Sequence, residues 1–448
     1  MLIEFRVENH RSIRDEQVLT MEASRGGEPD DPRPREVAGH VVGLLPAAAL
    51  YGANASGKSN LLSALGFIRD AVIDSHQSWP PQGGVPRDAF AWGTRAGQPS
   101  MFEVTMLVRG VRHQYGFVVD QDRVLEEWLF AWPRGRRQIW LERDGDVFSF
   151  GENLRGENRV VEQVTRPNAL FLSTAAQHQH EQLLPIHAWF HDLQTVRVEG
   201  YKERYGDAMP AAVAASMFAA LAAASAASVT SAGGMVRLND LIPRPGERGD
   251  SAEALSSLGE AGADKLRQFL RAADVGISDF RIERAPDGGA SGRKGPRRIS
   301  MRHDAGGGDG WLPLERESAG TRALFNLGPE VIEALVRGSV LVVDELESSL
   351  HPRLALQIVK QFNDPRTNPR NAQLLFTTHD TNLISTTTGS AALRRDQIWL
   401  TEKNAEGATC LYPLTDYKPR KSENLERGYL QGRYGAIPFL GEFAQRQE

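Results

Sequence analysis

Residues Leu50–Leu65 read LYGANASGKSNLLSAL, and this stretch restricts the fold more than any other. An apolar run ends at Tyr51, a loop with two glycines, a lysine and a serine follows, and apolar periodicity then resumes. The segment from Gly52 to Ser59 fits G-x-x-x-x-G-K-[ST]. Glycines let the backbone curl until successive N–H groups point inward at phosphate oxygens. A helix starting at the loop adds the positive end of its dipole. The phosphate cradle is therefore expected at Gly52, Asn54, Ala55, Ser56, Gly57, Lys58, Ser59 and Asn60. Lys58 is expected to reach the β- and γ-phosphates, and the Ser59 hydroxyl to ligate Mg2+. Such a loop belongs between a buried strand, here AAALYG, and an amphipathic helix, here expected over Asn60–Ile73.

A phosphate cradle alone does not hydrolyse anything. A second segment, SVLVVDELESSLHP at Ser339–Pro352, supplies the missing carboxylates. Four aliphatic residues, Val340 to Val343, lead to Asp344 and Glu345. Ionised carboxylates at the end of a buried strand are costly unless something uses them. Asp344 suits the Mg2+ shell, and Glu345 suits the group that orients or deprotonates an attacking water.

The remaining composition excludes more than it selects. The 448 residues carry a net charge of -5, so any contact with nucleic acid has to be local. A single cysteine, Cys410, excludes an internal disulfide framework and a cysteine-based zinc site, and fits a cytoplasmic location. The opening MLIEFRVENHRSI alternates like a strand and not like a secretory signal. The uncharged run Pro210–Met235 is rich in Ala and Ser and is expected to be a soluble helix with close packing, so no membrane partner is expected.

Along the chain, residues 1–165 read mostly as strands around one helix and include a hairpin from MFEVTMLVRG and HQYGFVVD. Residues 166–280 read as a helical insertion. In 281–448, strands SVLVVDE, AQLLFTT and DQIWLTE alternate with helices, the pattern of parallel strands with crossovers. Ala285–Arg298 is basic and rich in Gly and Pro, so it is expected as a hairpin tip; Arg293, Lys294, Arg297 and Arg298 there are candidates for nucleic-acid contact. His187 and His191 share a helical spacing but lack a third ligand. The tail YLQGRYGAIPFLGEF either docks on the core or offers Tyr429, Arg433 and Phe439 to a partner.

Taken together, GANASGKSN, VVDELESSLHP and LLFTTHD resemble the ATP-binding-cassette ATPases of the SMC and RecF type. The resemblance implies an α/β fold: a P-loop NTPase head with a mixed-sheet N-terminal lobe, a parallel-sheet C-terminal lobe and a helical insertion. It implies ATP and Mg2+ as ligands and hydrolysis of ATP to ADP and phosphate. It assigns Ser318 and Gly320, in ERESAGTRALFNL, to a signature at a helix start, and His379 to the switch histidine at the γ-phosphate. It places Ser348 and Ser349 in a loop crossing a dimer interface, Arg11 or Ser12 near the nucleotide, and the metal-contacting Gln loop at Gln177. In such ATPases two chains dock head to tail, so a homodimer or higher homo-oligomer is implied.

The C-terminal segment from Arg394 to Phe443, with FTTHDTNLIS and ADVGISDFRIE, resembles more narrowly the RloA-like abortive-infection ATPases of bacteria. That resemblance implies a role in anti-phage defence beside a separately encoded nuclease-like effector. A self-contained nuclease of the OLD type would need a further carboxylate-bearing domain after the ATPase strands. A DNA-repair clamp like RecF or the SMC proteins is the alternative, and no long coiled coil supports the SMC branch.

Overall fold

The computed structural model describes residues 1–24, 30–197, 264–273, 276–284, 297–304, 310–385, 391–420 and 423–438. The Ala-rich run Pro210–Met235, Arg293, Lys294 and Phe439 lie outside the described residues.

Two large sheets carry the fold. The first is antiparallel, in the order β2-β1-β4-β5-β6-β7-β8. Its strands are β1 (Leu2–Glu8), β2 (Gln17–Thr20), β4 (Ser100–Val108), β5 (Val111–Val119), β6 (Val124–Trp132), β7 (Gln138–Asp144) and β8 (Val147–Phe150). The expected hairpin is β4–β5, turning at Arg109 and Gly110, both with positive φ.

The second sheet runs β16-β15-β3-β14-β13-β9. It contains β3 (Ala47–Gly52), β9 (Gln194–Arg197), β13 (Val340–Asp344), β14 (Gln373–Thr377), β15 (Ile398–Lys403) and β16 (Thr409–Pro413). All neighbours are parallel except β15 and β16. The P-loop strand β3 thus comes from early in the chain but sits between β14 and β15. A third sheet joins β10 (Ile277–Arg284), β11 (Arg297–His303) and β12 (Gly310–Pro313).

The parallel sheet is apolar on both faces, and its residues alternate between two cores. Ala48, Leu50, Val340, Val342 and Leu375 face one core, with the first sheet and helix α1 (Lys58–Ser78). Helices α2 (Asn158–Val164), α3 (Phe171–Gln177) and α4 (Leu184–Asp192) close that side. Ala47, Ala49, Tyr51, Leu341, Val343, Leu374 and Phe376 face the other. That core takes in helical residues 264–272 (α5), α6 (Ala319–Arg337) and α7 (Pro352–Asn363). Helix α1 starts before the expected Asn60 and continues beyond Ile73 to Ser78.

Strand β9 falls wholly in the stretch read as helical, and β10 begins in it. The four residues of β9 pair in parallel with β13 from Leu341 to Asp344. Four residues are too few for periodicity to register, and the strand exists because β13 offers an open edge. The C-terminal tail docks on the core through α8 (Leu425–Leu430): Tyr429 stacks edge-on against Tyr51 at 5.6 Å, and Tyr434 is buried. Arg433 pairs with Glu423 at 2.7 Å. Among the described residues no helix is long and apolar enough to cross a membrane.

Candidate functional site

The carboxyl ends of β3, β13 and β14 lie side by side, where open parallel sheets bind ligands. Between β3 and α1 the loop turns through Ala55 (φ 62°) and Gly57 (φ 109°). A Cβ at Gly57 would collide with the Thr409 hydroxyl, and one at Gly52 with Thr401, so both positions require glycine. Gly57 caps α1 without a side-chain acceptor, and the first turn carries no acid. The leading N–H groups of the helix are thus directed at an anion site. Asn54 and Ala55 are exposed at the loop crest, while Ser56 is buried.

A ring of hydroxyls holds the loop from behind. Ser56 Oγ and Thr401 Oγ1 are 2.6 Å apart, and Thr409 Oγ1 donates to the Ser56 carbonyl at 2.9 Å. Ser12 Oγ lies 2.8 Å from Thr409 Oγ1 and accepts from Asn60 Nδ2 at 2.6 Å. The first sheet, the last hairpin and the P-loop therefore meet at one point. Ser12, not Arg11, supplies this contact. Arg11 turns away with φ 50° and pairs with Asp88 at 2.9 Å.

Lys58 is 6% exposed, and its Nζ donates to the carbonyls of Gly52 (2.9 Å) and Ala53 (3.1 Å). Burial lowers its ammonium below the ordinary lysine value, against the opposing pull of Glu345, Asp344 and Glu347. The two separated motifs join directly: Ser59 Oγ donates to Asp344 Oδ1 at 2.9 Å. Thr377, at the end of β14, donates to the same Oδ1 at 2.8 Å and accepts the Glu345 N–H at 2.6 Å. Thr377 is fully buried and holds Glu345 at φ 56°, a left-handed conformation that is unfavourable for a non-glycine residue.

His379 follows β14, and its N–H donates to Glu347 Oε1 at 2.6 Å. Burial first, then Lys58, lowers its imidazole below the usual histidine range, with Glu347 opposing. At neutral pH His379 is therefore neutral and can donate or accept one hydrogen bond. Ser318 caps α6, accepting from the Thr321 N–H at 3.1 Å. Gly320 approaches the Ser349 carbonyl so closely that a Cβ would sit 2.9 Å from it. Ser318, Gly320 and Ser349 thus form one surface.

The hard oxygen set of Ser59 and Asp344, drawn together on one acceptor atom, fits a Mg2+ ion beside a phosphate cradle. When bound there, Mg2+ would neutralise charge on the phosphate oxygens. Gln177, expected in the metal-contacting loop, does not join this set. It ends α3 and accepts from Gln77 Nε2 at 2.5 Å, at the far end of α1. That point is roughly 28 Å along the helix from Lys58. His187 is pushed down to about 4 by burial and then by His191, and among the described residues no set of three His, Cys, Asp or Glu side chains is arranged to hold a metal.

Thr377, Thr409 and Glu347 escaped the sequence reading. The polar ending FTTHD hints at Thr377. Nothing local marks Thr409 or its contact with Ser12, 397 positions away.

Residues 47–385 match the model of the family described as "AAA domain, putative AbiEii toxin, Type IV TA system". No curated protein matches the chain. Among solved structures, the chain is similar to the SMC head domain from Thermotoga maritima, with 13% identity, a TM-score of 0.38, and coverage of 92% of this chain and 98% of that one. It is also similar to the Smc head domain with an extended coiled coil bound to the C-terminal domain of ScpA derived from Pyrococcus furiosus. There the identity is 12%, the TM-score 0.44, and the coverage 96% of this chain and 98% of that one.

Proposed function

Because the chain belongs to this AbiEii-type AAA-domain family, we propose that it is a Mg2+-dependent ATPase acting as the regulatory subunit of a bacterial anti-phage system. The observation that carries the hydrolytic reading is the Ser59–Asp344 hydrogen bond, which closes the P-loop onto the acidic strand end with Lys58 and His379 alongside. Lys58 leaves its two carbonyl partners to bind the β- and γ-phosphates. Ser59 and Asp344 hold the metal. Glu345 takes a proton from the attacking water, and neutral His379 donates to the γ-phosphate.

The site is completed by a second copy. Ser318 and Gly320 begin a 19-residue helix, a length that gives its N-terminus a substantial dipole. In a head-to-tail dimer that N-terminus faces the γ-phosphate held by the partner chain. Residues 1–165, 166–280 and 281–448 serve as N-terminal lobe, helical insertion and C-terminal lobe. The anti-phage role and the separately encoded nuclease-like effector rest on the resemblance to abortive-infection ATPases, which the family description supports.

Mixing tests the shared site. Ser318→Arg and Lys58→Ala chains are each expected to be inactive alone. Their mixture contains heterodimers with one intact composite site, so turnover is expected to return in part. Full turnover by Ser318→Arg alone would contradict the head-to-tail arrangement. Phage challenge of cells carrying this gene, its neighbour, or both tests the effector. Full protection by this gene alone, in a host without a related operon, would contradict the two-protein reading.

A further inference from the structure

The two ends of the first sheet carry opposite charge. Arg112 of β5 lies opposite Trp132 of β6, so the β4–β5 turn and the β6–β7 turn share one end. Residues 109–112 and 133–137, at that end, hold Arg109, Arg112, Arg134, Arg136 and Arg137 and no acid. The turns at the other end hold Asp120, Asp122, Asp144 and Asp146 against Arg123 alone. In a chain of net charge -5, five arginines gathered without acids in their own turns make a local positive field.

These arginines are not consumed by the fold. Arg109, Arg134, Arg136 and Arg137 are exposed, and none of the five forms an ion pair among the described residues. Two are held by aromatic rings instead: Arg112 lies over Trp132 at 4.7 Å and Arg137 over Phe130 at 3.7 Å. Stacking of this kind pre-orients a guanidinium; the exposed Arg137 keeps its donors open to solvent, while the Nε of Arg112 is buried without a partner. Beside the β6–β7 turn opens a groove of about 940 Å3. Arg134, Arg155 and His178 line it together with Trp140 and Val160, and Glu157 and Glu181 stand among them.

We propose that this end of the first sheet binds single-stranded nucleic acid, with the arginine turns on the phosphates and the groove receiving unstacked bases. Guanidinium forks match phosphate oxygens bidentately, whereas isolated carboxylates would leave most of the five arginines without a partner. The groove favours a single strand, because a duplex keeps its bases stacked and offers nothing to fill the recess. The surface is separate from the ATP site.

Fluorescence anisotropy with a labelled oligothymidylate at low salt tests the assignment on the full chain. The triple variant Arg134→Glu, Arg136→Glu, Arg137→Glu is expected to weaken binding at least about tenfold. The slope of log affinity against log salt is expected to shrink by about two. The milder triple Arg→Gln variant is expected to fall between this variant and the wild type. ATP turnover is measured in the same samples and is expected to stay at the wild-type level, because none of the three residues touches the ATP site. Three results would overturn the proposal: no binding of the oligothymidylate by the wild type, undiminished binding by both triple variants, or tighter binding of a duplex of the same length.

Discussion

The parallel and antiparallel sheets both place charged side chains among their hydrogen bonds, and they use them differently. In the antiparallel sheet Glu127 is 1% exposed. Its carboxylate accepts the Phe171 and Leu172 N–H groups at 2.7 and 3.1 Å and the Tyr115 hydroxyl at 2.9 Å, and Arg143 lies 3.5 Å away. Every neighbour is a structural partner, and the group caps α3. At the end of the parallel sheet, Asp344 shares one oxygen between Ser59 and Thr377, beside a lysine that donates to two loop carbonyls. A buried charge signals chemistry when its partners are exchangeable for a ligand. It signals architecture when they are backbone groups that have no other satisfaction.

Substitutions at the two sites should separate accordingly. Glu127→Ala leaves Arg143 buried and unpaired, with an expected loss of about 3–5 kcal/mol in chemical denaturation. Turnover per folded molecule should be unaffected, and a loss of turnover at full stability would erase the distinction. Lys58→Ala should do the reverse: turnover falls by about a hundredfold or more while the melting transition stays in place. Thr377→Val keeps the shape but loses one hydroxyl that donates to Asp344 and accepts from Glu345, so turnover should drop by about tenfold. Thr377→Ser, which restores the hydroxyl, should recover most of it. A purely structural threonine would show loss of stability in both variants and no such recovery.

The smallest effect concerns pH and belongs mostly to the scaffold. Burial holds His10, His113 and His187 near 4, below the value of about 6.5 for an exposed histidine. The unfolded chain therefore binds protons that the folded chain refuses. The contribution of these three histidines is constant above the unfolded value and declines as pH falls from about 6.5 toward 4. The buried Met1 amine, held at about 5, acts in the same sense, and Glu330, raised to about 7, in the opposite one, so a net decline toward acid is expected. Urea midpoints measured across that window check the sign, and a rising midpoint toward acid would contradict it.

Much of this was legible in the chain because the parallel strands are buried on both faces. AAALYG, SVLVVD and QLLFT read as apolar runs, so the ends of the first two stand out at Gly52 and Asp344. The β4–β5 hairpin announced itself by length and a glycine turn. What stayed hidden depends on distant neighbours. The edge strand β9 exists only against β13, and the Ser12–Thr409 contact joins the two ends of the chain. Gln177 was placed by its position at the junction of the lobes, but α1 is long enough to carry α3 far from the loop. The opposed charges of the first sheet were visible as residues but had no meaning until strand register put the two arginine turns together.

The hydrolytic site itself is tested most directly by Glu345→Gln, measured for ATP binding and phosphate release in one preparation. The amide keeps the shape of the carboxylate and cannot accept the proton from water. Binding should remain at the wild-type level, while release slows by about a hundredfold or more. Phosphate release at the wild-type rate, with binding intact, would show that Glu345 is not the base and that the convergence of β3, β13 and β14 does not perform the hydrolysis assigned to it.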